Sequence, residues 1–360
     1  TKGGLTQARS KLKAEAFVEL GNKVVHDFYS NEQYHRWHGF RLLAIDGSTC
    51  NLPSHKSIEA HFGLMQVGCK KEVNRSMARI SMCYDVLNLM TLDGQIAPFT
   101  TSENVLLSNH LERVRFNEGD LILADRGYPS IGLMFRLIEQ KINFCFRMKS
   151  SWWKEVDAFN QSTEQTGLVE WNLPKKDHGL ISYSEAQTSV VKVRLVKVLL
   201  DTGEIEILAT SLLDEQLFPN IVFKELYHYR WNIEEGYKLF KECVQLEVFS
   251  GKTALAVMQD FFAKLFMLNV CAMMSFPIEQ KVREESKKNK YQRQINKTSA
   301  VAFIKSSWVA LWERRELNKF FQSLTQVLLK ATDIIRPGRK FSRNKTAKKP
   351  PPMNRKTICL

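Results

Sequence analysis

The chain has 360 residues, and its 52 Lys and Arg against 38 Asp and Glu give a formal charge of +14. Its 44% hydrophobic and 25% charged content excludes wholesale disorder, and its length predicts two or three domains at roughly 100–200 residues each. The seven cysteines are widely spaced and form no CxxC pair, which argues against a disulfide framework or zinc ribbon and predicts small core residues in a reducing compartment.

Hydrophobic periodicity predicts strands and helices in a definite order. The predicted elements are a helix over 6–30, strands over 41–46, 78–88 and 89–98, a helix over 103–115, a strand over 120–125, a helix over 130–140, a strand over 143–148, strands over 190–200 and 204–210 in a β-rich stretch, and helices over 218–246, 253–276 and 298–330. Asp93-Gly94 suggests a turn within the third strand. This order predicts an α/β fold with a mixed sheet, flanking helices and ligands at the carboxyl ends of strands.

The most apolar predicted helix, over 253–276, is the one segment that invites a membrane interpretation. It carries Asp260 and Lys264, and its longest uncharged stretch, 265–278, has 14 residues. A membrane-spanning helix needs about 20 apolar residues. The sequence therefore predicts a buried helix and no membrane partner.

The positive charge is concentrated in two segments. Residues 336–360 carry nine Lys and Arg and no acid, and residues 281–297 carry seven basic and two acidic residues, so together they account for the net charge. Three consecutive prolines and few apolar residues predict that 336–360 is a disordered tail. Such a tail is either a solvated end or a contact for the phosphates of a polyanion, and both interpretations stay open.

Two carboxylates follow apolar strands. Asp46 ends RLLAID and precedes Gly47, and Asp125 ends DLILAD and precedes Arg126-Gly127. A glycine beside each acid lets the backbone or a ligand approach closely. Two such carboxylates on one sheet suit Mg²⁺, which prefers oxygen ligands. An Asp after a strand is also an ordinary turn former, so both interpretations stay open here.

The predicted helix over 218–246 carries a charged stripe. At roughly 100° per residue, Tyr227, Arg230, Glu234 and Lys241 fall within about 60° of one another. Such a face can offer one carboxylate to a metal and three donors to phosphate oxygens. The alternative is a solvated row of ion pairs with Arg230 and Glu234 as i,i+4 partners.

The segment 227–241, YHYRWNIEEGYKLFK, has the pattern Tyr-x2-Arg-x3-Glu-x6-Lys and resembles the signature of bacterial DDE transposases of insertion-sequence family four. AIDGS at 44–48 and LADRGY at 123–128 resemble the blocks around that family's other two catalytic acids. The resemblance covers roughly 1–330. It implies a ribonuclease H-like mixed sheet, a β-rich insertion before the last catalytic helix and a helical C-terminal region.

The resemblance also implies the site. It makes Asp46, Asp125 and Glu234 the catalytic triad that binds Mg²⁺ or Mn²⁺, as two ions. It assigns DNA contacts near the transposon end to Tyr227, Arg230 and Lys241, and Arg126 is a further candidate for a phosphate contact.

Two neighbours of these residues are excluded from the predicted site. Glu235 lies about 100° from Glu234 on the helix, so it is not the predicted third acid. Trp231 is predicted to pack in the core.

The implied activity is metal-dependent DNA cleavage at the ends of an insertion sequence, followed by strand transfer into target DNA. The implied partners are double-stranded DNA at the transposon ends and target, and a second copy in a dimer assembled on DNA. The implied location is the bacterial cytoplasm, on the nucleoid when DNA is bound. A metal-dependent nuclease and a DNA-binding remnant or repressor of a truncated element are the alternative functions.

The predicted functional segments follow from the same blocks. They are an N-terminal helical segment at 1–40, shorter than the DNA-binding region of family members, the first part of the catalytic core at 41–149, the β-rich insertion at 150–212, the last part of the core at 213–280, a helical region at 281–335 and the basic disordered tail at 336–360.

One position departs from the family pattern. Some relatives hold a flipped base with a Trp on the last strand of the insertion, whereas the matching position here is near Glu206, which argues against a hairpin-forming route. Trp152 and Trp153 either stack on bases instead or pack within the insertion.

Overall fold

The computed structural model describes residues 2–30, 33–67, 73–183, 189–200, 203–313 and 316–336. In chain order, the elements are α1 (Lys2–Lys11), α2 (Glu15–Tyr29), β1 (Arg41–Asn51), α3 (Lys56–Phe62), β2 (Leu64–Val67), β3 (Val73–Asp85), β4 (Met90–Pro98), α4 (Glu103–Arg113), β5 (Asp120–Ala124), α5 (Ile131–Glu139), β6 (Asn143–Arg147), α6 (Lys154–Gln161), β7 (Thr166–Asn172), β8 (Val190–Leu199), β9 (Ile205–Thr210), α7 (Val222–Tyr229), α8 (Asn232–Lys238), α9 (Ala254–Ser286), β10 (Arg293–Ile295), α10 (Lys297–Ser306), α11 (Trp308–Trp312), α12 (Leu317–Lys330) and β11 (Thr332–Ile334). Short 3₁₀ segments cover Ser150–Trp152 and Lys175–Tyr183, and a π-helical turn covers Leu239–Cys243.

The chain forms two compact units. The first comprises Thr1–Ser30, Cys50–Ala78 and Tyr237–Leu360, and the second comprises Asn31–Thr49 and Arg79–Gly236. Strands β1 and β3 and helix α8 each run from one unit into the other.

A mixed sheet forms the second unit, in the order β4-β3-β1-β5-β6-β9-β8-β7. Strands β1, β5 and β6 are parallel, and β9, β8 and β7 continue the sheet as antiparallel neighbours. Residues 42–45 of β1 and 121–124 of β5 are buried throughout, as is usual for parallel strands with both faces covered. Helices α5 and α7 pack on this sheet and α4 packs on β4, so the predicted α/β fold with a mixed sheet and helices is confirmed.

The predicted turn at Asp93-Gly94 is wrong. Both residues lie within β4, and the chain reverses instead at 86–89. Asp85 forms that turn because its carboxylate accepts from the amides of Leu87 and Asn88 at 2.9 and 3.0 Å. The Asp85 carboxylate at the end of β3 therefore sets the turn, and the Asp93-Gly94 pair does not.

Two long predicted helices are broken. The helix predicted over 6–30 is divided into α1 and α2. The helix predicted over 218–246 is divided into α7, α8 and the π-helical turn, and near Trp231 the amides bond to carbonyls three residues back. The 100° spacing used for the predicted stripe therefore does not hold across it.

Helix α9 is the central helix of the first unit. It contacts α2, α3, α10 and α12. Its charged residues are satisfied inside this unit: Asp260 pairs with Arg9 at 2.8 Å, and Lys264 donates to three main-chain carbonyls. The helix is long and apolar enough to cross a membrane, and 44% of its most apolar window is buried inside the structure. The predicted burial is confirmed for part of the helix, and the expected lack of a membrane partner stays a prediction.

The basic segment at 281–297 is partly neutralised by its own helix. The observed ion pairs within or next to it are Lys281–Glu285, Arg283–Glu279 and Lys287–Glu284. The helix predicted over 298–330 is divided into α10, α11 and α12. The predicted disordered tail lies, from residue 337 onward, outside the described residues.

The predicted core role of the cysteines is confirmed for Cys50, Cys83, Cys145 and Cys271, which are buried. Burial raises the pKa of these thiols, which keeps them as neutral packing groups. Cys243 is partly exposed.

Candidate active site

Two of the predicted acids and Arg147 stand in one row across the parallel strands. The strands pair Ala44 with Leu123, and Ala124 with Phe146. Asp46 and Asp125 lie two residues beyond the first pair, on β1 and after β5. Asp125 and Arg147 lie one residue beyond the second pair. The polar row therefore begins where the buried apolar rows end, at the carboxyl side of the sheet.

Asp46 lies within β1, which continues to Asn51, so the prediction that the strand ends on this acid is wrong. Its Oδ1 accepts a hydrogen bond from the Gly47 amide at 2.9 Å. The pKa of Asp46 is raised to about 6, chiefly by burial, with smaller contributions from the negative charges of Glu103 and Asp125 and against the lowering by the Gly47 amide and Arg230. The site concentrates negative charge around this carboxylate.

Glu103 is a fourth carboxylate of this region, and the sequence did not reveal it. It begins α4 and pairs with Arg79 at 2.9 Å. A methyl group added at Gly47 would meet the Glu103 side chain at 3.0 Å, so the carboxylate lies directly over the residue that follows Asp46. An acid at a helix N-terminus is ordinary by sequence, because it complements the helix dipole. Only the fold brings it to the site.

Asp125 is held from three directions. The Arg126 amide donates to its Oδ1 at 2.8 Å, the Tyr227 hydroxyl lies 3.4 Å from the same oxygen, and Arg147 Nη1 lies 3.7 Å from it. Burial raises the pKa of Tyr227, so this phenol stays protonated and can donate. Asp125 therefore faces two donors from different elements, β6 and α7.

Arg230 is the cation shared by the acids. Its side chain is 4% exposed, and Nη2 lies 3.7 Å from Glu234 Oε1. Desolvation alone lowers the pKa of Arg230, but nearby negative charges raise it overall. The Tyr227 phenol oxygen contributes to this rise, together with the carboxylates of Asp125, Asp46 and Glu234. One buried guanidinium thus pairs with Glu234 and feels the charges of Asp46 and Asp125.

The predicted DNA contacts differ in exposure. Tyr227 and Arg230 are buried, Lys241 is partly exposed in the π-helical turn of the first unit, and Arg126 is exposed. Glu234 is 45% exposed at its side chain. The buried pair lies beside the acids, whereas Arg126 offers its side chain to solvent.

The aromatic predictions have mixed outcomes. Trp231 is 37% exposed and stacks under the Arg230 guanidinium at 4.8 Å, so its predicted place in the core is wrong. Trp153 packs against Trp171 within the insertion. Trp152 is 63% exposed, with the Lys149 ammonium 4.2 Å above its ring. Packing within the insertion is therefore confirmed for Trp153, and base stacking by Trp152 stays a prediction.

Glu206, at the position where some relatives carry an aromatic residue, is 6% exposed and pairs with Arg147 at 2.9 Å. Burial raises its pKa, and Arg147 lowers it. This pair extends the polar row from Asp125 to β9. Arg147 lies one residue before the end of the strand predicted over 143–148, and in the structure it ends β6, which pairs with the strand before Asp125.

Asp46→Asn should stabilise the metal-free protein at neutral pH. The folded pKa near 6 lies above the ordinary 3.8, so the folded state binds more protons and stability falls as pH rises through that window. We expect the free energy of unfolding of the variant to exceed that of the unaltered protein by about 1–3 kcal/mol at pH 7. Near pH 4 the two free energies should be nearly equal. Urea denaturation in EDTA at both pH values measures this, and an equal difference at both would contradict it.

The donor set fits a hard divalent cation in its chemistry. The carboxylates of Asp46 and Asp125 offer oxygen ligands and repel each other when both are charged. A bound divalent cation would relieve that repulsion. In the described part of the chain, no three His, Cys, Asp or Glu side chains are grouped closely enough to hold an ion. The third acid, Glu234, is paired with Arg230 instead.

Known proteins resemble this chain in sequence. The family described as "Transposase DDE domain" matches residues 37–270, which include all three predicted acids. The transposase InsG for insertion sequence element IS4 of Escherichia coli (strain K12) is 26% identical over 271 residues, 73% of this chain. The chain spans 59% of the length of that relative.

A solved structure also matches. It is a cryo-EM structure of the piggyBac transposase synaptic complex with hairpin DNA, at 12% identity and a TM-score of 0.44, over 86% of this chain and 60% of that chain.

The family match covers more than half of the chain and all three blocks from which the resemblance was inferred. The predicted family is confirmed: the chain belongs to the transposase DDE domain family.

Proposed function

We propose that this protein is a DDE transposase that cuts DNA at the ends of an insertion sequence and joins those ends to target DNA. The observation that carries the proposal is the row of Asp46 and Asp125 at matching positions of two parallel strands, linked through Arg230 to Glu234. The order β4-β3-β1-β5-β6 supports a ribonuclease H-like core. The functional segments defined from the sequence are part of the same proposal.

Asp46, Asp125 and Glu234 would hold two Mg²⁺ or Mn²⁺ ions. Two bound divalent ions supply activation of an attacking oxygen and stabilisation of the leaving oxygen in an in-line displacement. The chain's own part is to keep Asp46 and Asp125 apart on rigid strands and to keep Asp125 oriented by Tyr227 and Arg147. Because Glu234 is paired with Arg230 in this structure, loading requires it to change partners.

Arg126 and Lys241 are the proposed direct contacts to DNA phosphates, because their side chains reach the surface. Tyr227 and Arg230 are proposed to meet the DNA only at the floor of the site, beside the acids they hold. The rest of 281–297 adds positive charge beyond its internal ion pairs. The proposed partners are double-stranded DNA at the ends and target, and a second copy on that DNA, in the bacterial cytoplasm and nucleoid.

Trp152→Ala should weaken DNA binding. The exposed ring with Lys149 above it suits base stacking, which contributes about 1–3 kcal/mol per base. We expect the dissociation constant for single-stranded or end-frayed DNA to rise about tenfold. Fluorescence anisotropy measures it, and Leu168→Ala, which truncates another exposed apolar side chain of the insertion, is the control. Equal affinities of Trp152→Ala and the unaltered protein would remove Trp152 from the DNA surface.

The proposed function is tested by cutting a plasmid that carries the DNA flanking this gene, in Mg²⁺ or Mn²⁺, and by sequencing any joined products. Metal-dependent cuts at the element ends and joined target support a transposase. Cuts without joining would favour a nuclease, and binding without cuts would favour a DNA-binding remnant or repressor.

A further inference from the structure

A buried chain of hydrogen bonds reaches the main chain of Asp46. Asp93 Oδ2 lies 2.7 Å from His110 Nδ1, and His110 Nε2 lies 2.9 Å from Ser81 Oγ. The Ser81 hydroxyl donates its single proton to the Asp46 carbonyl oxygen at 3.1 Å, and Ser81 Oγ accepts from His110 Nε2 in that arrangement. These side chains come from β4, α4 and β3, and they meet behind the first acid on β1.

The ring of His110 is wholly enclosed. His110 is 0% exposed and Ser81 is 1% exposed, and the neighbours of His110 on α4, Leu106, Leu107 and Leu111, are buried apolar residues. A buried imidazole in such surroundings is costly unless both nitrogens have partners, and here they do. His110 can therefore occupy the apolar face of α4, because both of its ring nitrogens are hydrogen-bonded.

Asp93 is itself fixed. Gln95 Nε2 lies 3.3 Å from Asp93 Oδ2 and donates to the Leu106 carbonyl at 2.9 Å, and Asn109 donates to Gln95 Oε1 at 3.1 Å. The network thus ties two turns of α4 to β4. A network with all members paired rigidifies the core that contains it.

The order Asp, His, Ser is also that of a hydrolase triad, but nucleophilic chemistry is excluded here. Ser81 is 1% exposed within strand β3, which lies between β4 and β1, and no acyl substrate can reach its oxygen. The hydroxyl is instead directed at the peptide of Asp46. What the network can do is hold that peptide, and hence the carboxylate that projects from it.

We propose that Ser81, His110 and Asp93 are positioning residues for Asp46, which fix the orientation of its peptide. This inference rests on the proposed function only in taking Asp46 as a catalytic acid. Partners behind a metal-binding or catalytic side chain commonly change affinity or activity by about 10–100-fold when they are removed. No DNA or metal contact is required of the three residues themselves.

Ser81→Ala tests this inference with two readouts. Amide hydrogen exchange of the segment around Asp46 should quicken at least about fivefold, the factor that the loss of one buried hydrogen bond implies. The single-turnover cleavage rate should fall about tenfold while the affinity for DNA stays unchanged. Asp93→Asn, which keeps the side-chain shape, should move both quantities in the same direction by less.

Thr210→Val is the matched control. Thr210 is 0% exposed, and its hydroxyl donates to the Phe144 carbonyl at 2.7 Å in the same sheet, away from the acids. It should leave exchange around Asp46 and the cleavage rate as they are, although it removes both this bond and the one that the hydroxyl accepts from the Leu212 amide at 3.1 Å.

Wild-type exchange and wild-type cleavage in Ser81→Ala would overturn the inference, and so would equal changes in Thr210→Val. If the unaltered protein cuts no DNA, the proposed function fails, and the exchange comparison still decides whether Ser81 holds Asp46.

Discussion

Glu234→Gln should lose DNA cleavage by at least about 10³-fold, while its affinity for DNA changes little. The substitution keeps the shape of the side chain and removes the charge that a divalent cation needs. Because Glu234 is 45% exposed, its removal should not unfold the protein. Plasmid cleavage with Mg²⁺ or Mn²⁺, followed over time, measures the rate, and gel shifts measure the affinity.

The adjacent acid provides the control for this experiment. Glu235 is also exposed and lies on α8, whereas Glu234 is the acid whose carboxylate lies 3.7 Å from Arg230. Glu235→Gln should therefore cut DNA at the rate of the unaltered protein. If Glu235→Gln were the inactive variant, Glu235 would be the third acid, and the catalytic face assigned to α8 would be wrong.

Asp120→Ala should lower the free energy of unfolding by about 3–5 kcal/mol. Arg41 donates to both oxygens of Asp120, at 2.7 and 2.9 Å, where β1 and β5 begin, and the two residues are 7% and 1% exposed. Truncating the acid leaves a buried guanidinium without its partner. Urea denaturation gives the change, and the sheet that carries Asp46 and Asp125 should be the part that loosens.

A nearby exposed pair shows what burial adds. Glu118 and Lys141 lie 3.0 Å apart with 71% and 75% of their side chains exposed. Glu118→Ala should change the free energy of unfolding by less than about 1 kcal/mol. A second comparison is the double variant Arg41→Met with Asp120→Leu, which removes both charges and should recover most of the loss. Equal losses from Asp120→Ala and Glu118→Ala would refute the buried pair.

The parallel strands of the core could be predicted because their signal is local. The runs ending at Asp46 and Asp125 are apolar without interruption, which is the pattern of strands buried on both faces. The helix that carries Glu234 was also predictable, but its geometry was not. Tight bonds near Trp231 and the π-helical turn change the angle per residue, so a wheel drawn at 100° placed Arg230 on a solvent-facing stripe when it is buried.

Trp231 is a second residue whose burial was predicted wrongly from the sequence. An aromatic residue beside an amphipathic stripe is usually buried, so the sequence predicts a core position. At this break the ring lies partly in solvent under Arg230. Propensity and periodicity do not report where a helix changes its winding, because that depends on what packs against each turn.

The sequence by itself determined the apolar runs that lead to Asp46 and Asp125, the apolar helix α9, the mixed α/β fold and the family, since each of these lies in residues that are close together along the chain. Only the tertiary structure decided that Glu103 lies over Gly47, that Arg147 stands in the row of Asp125, and that His110 reaches Asp46 through Ser81. Those contacts join residues from different strands and helices. Their partners are chosen by the register of the sheet and the packing of helices on it, which no local pattern encodes.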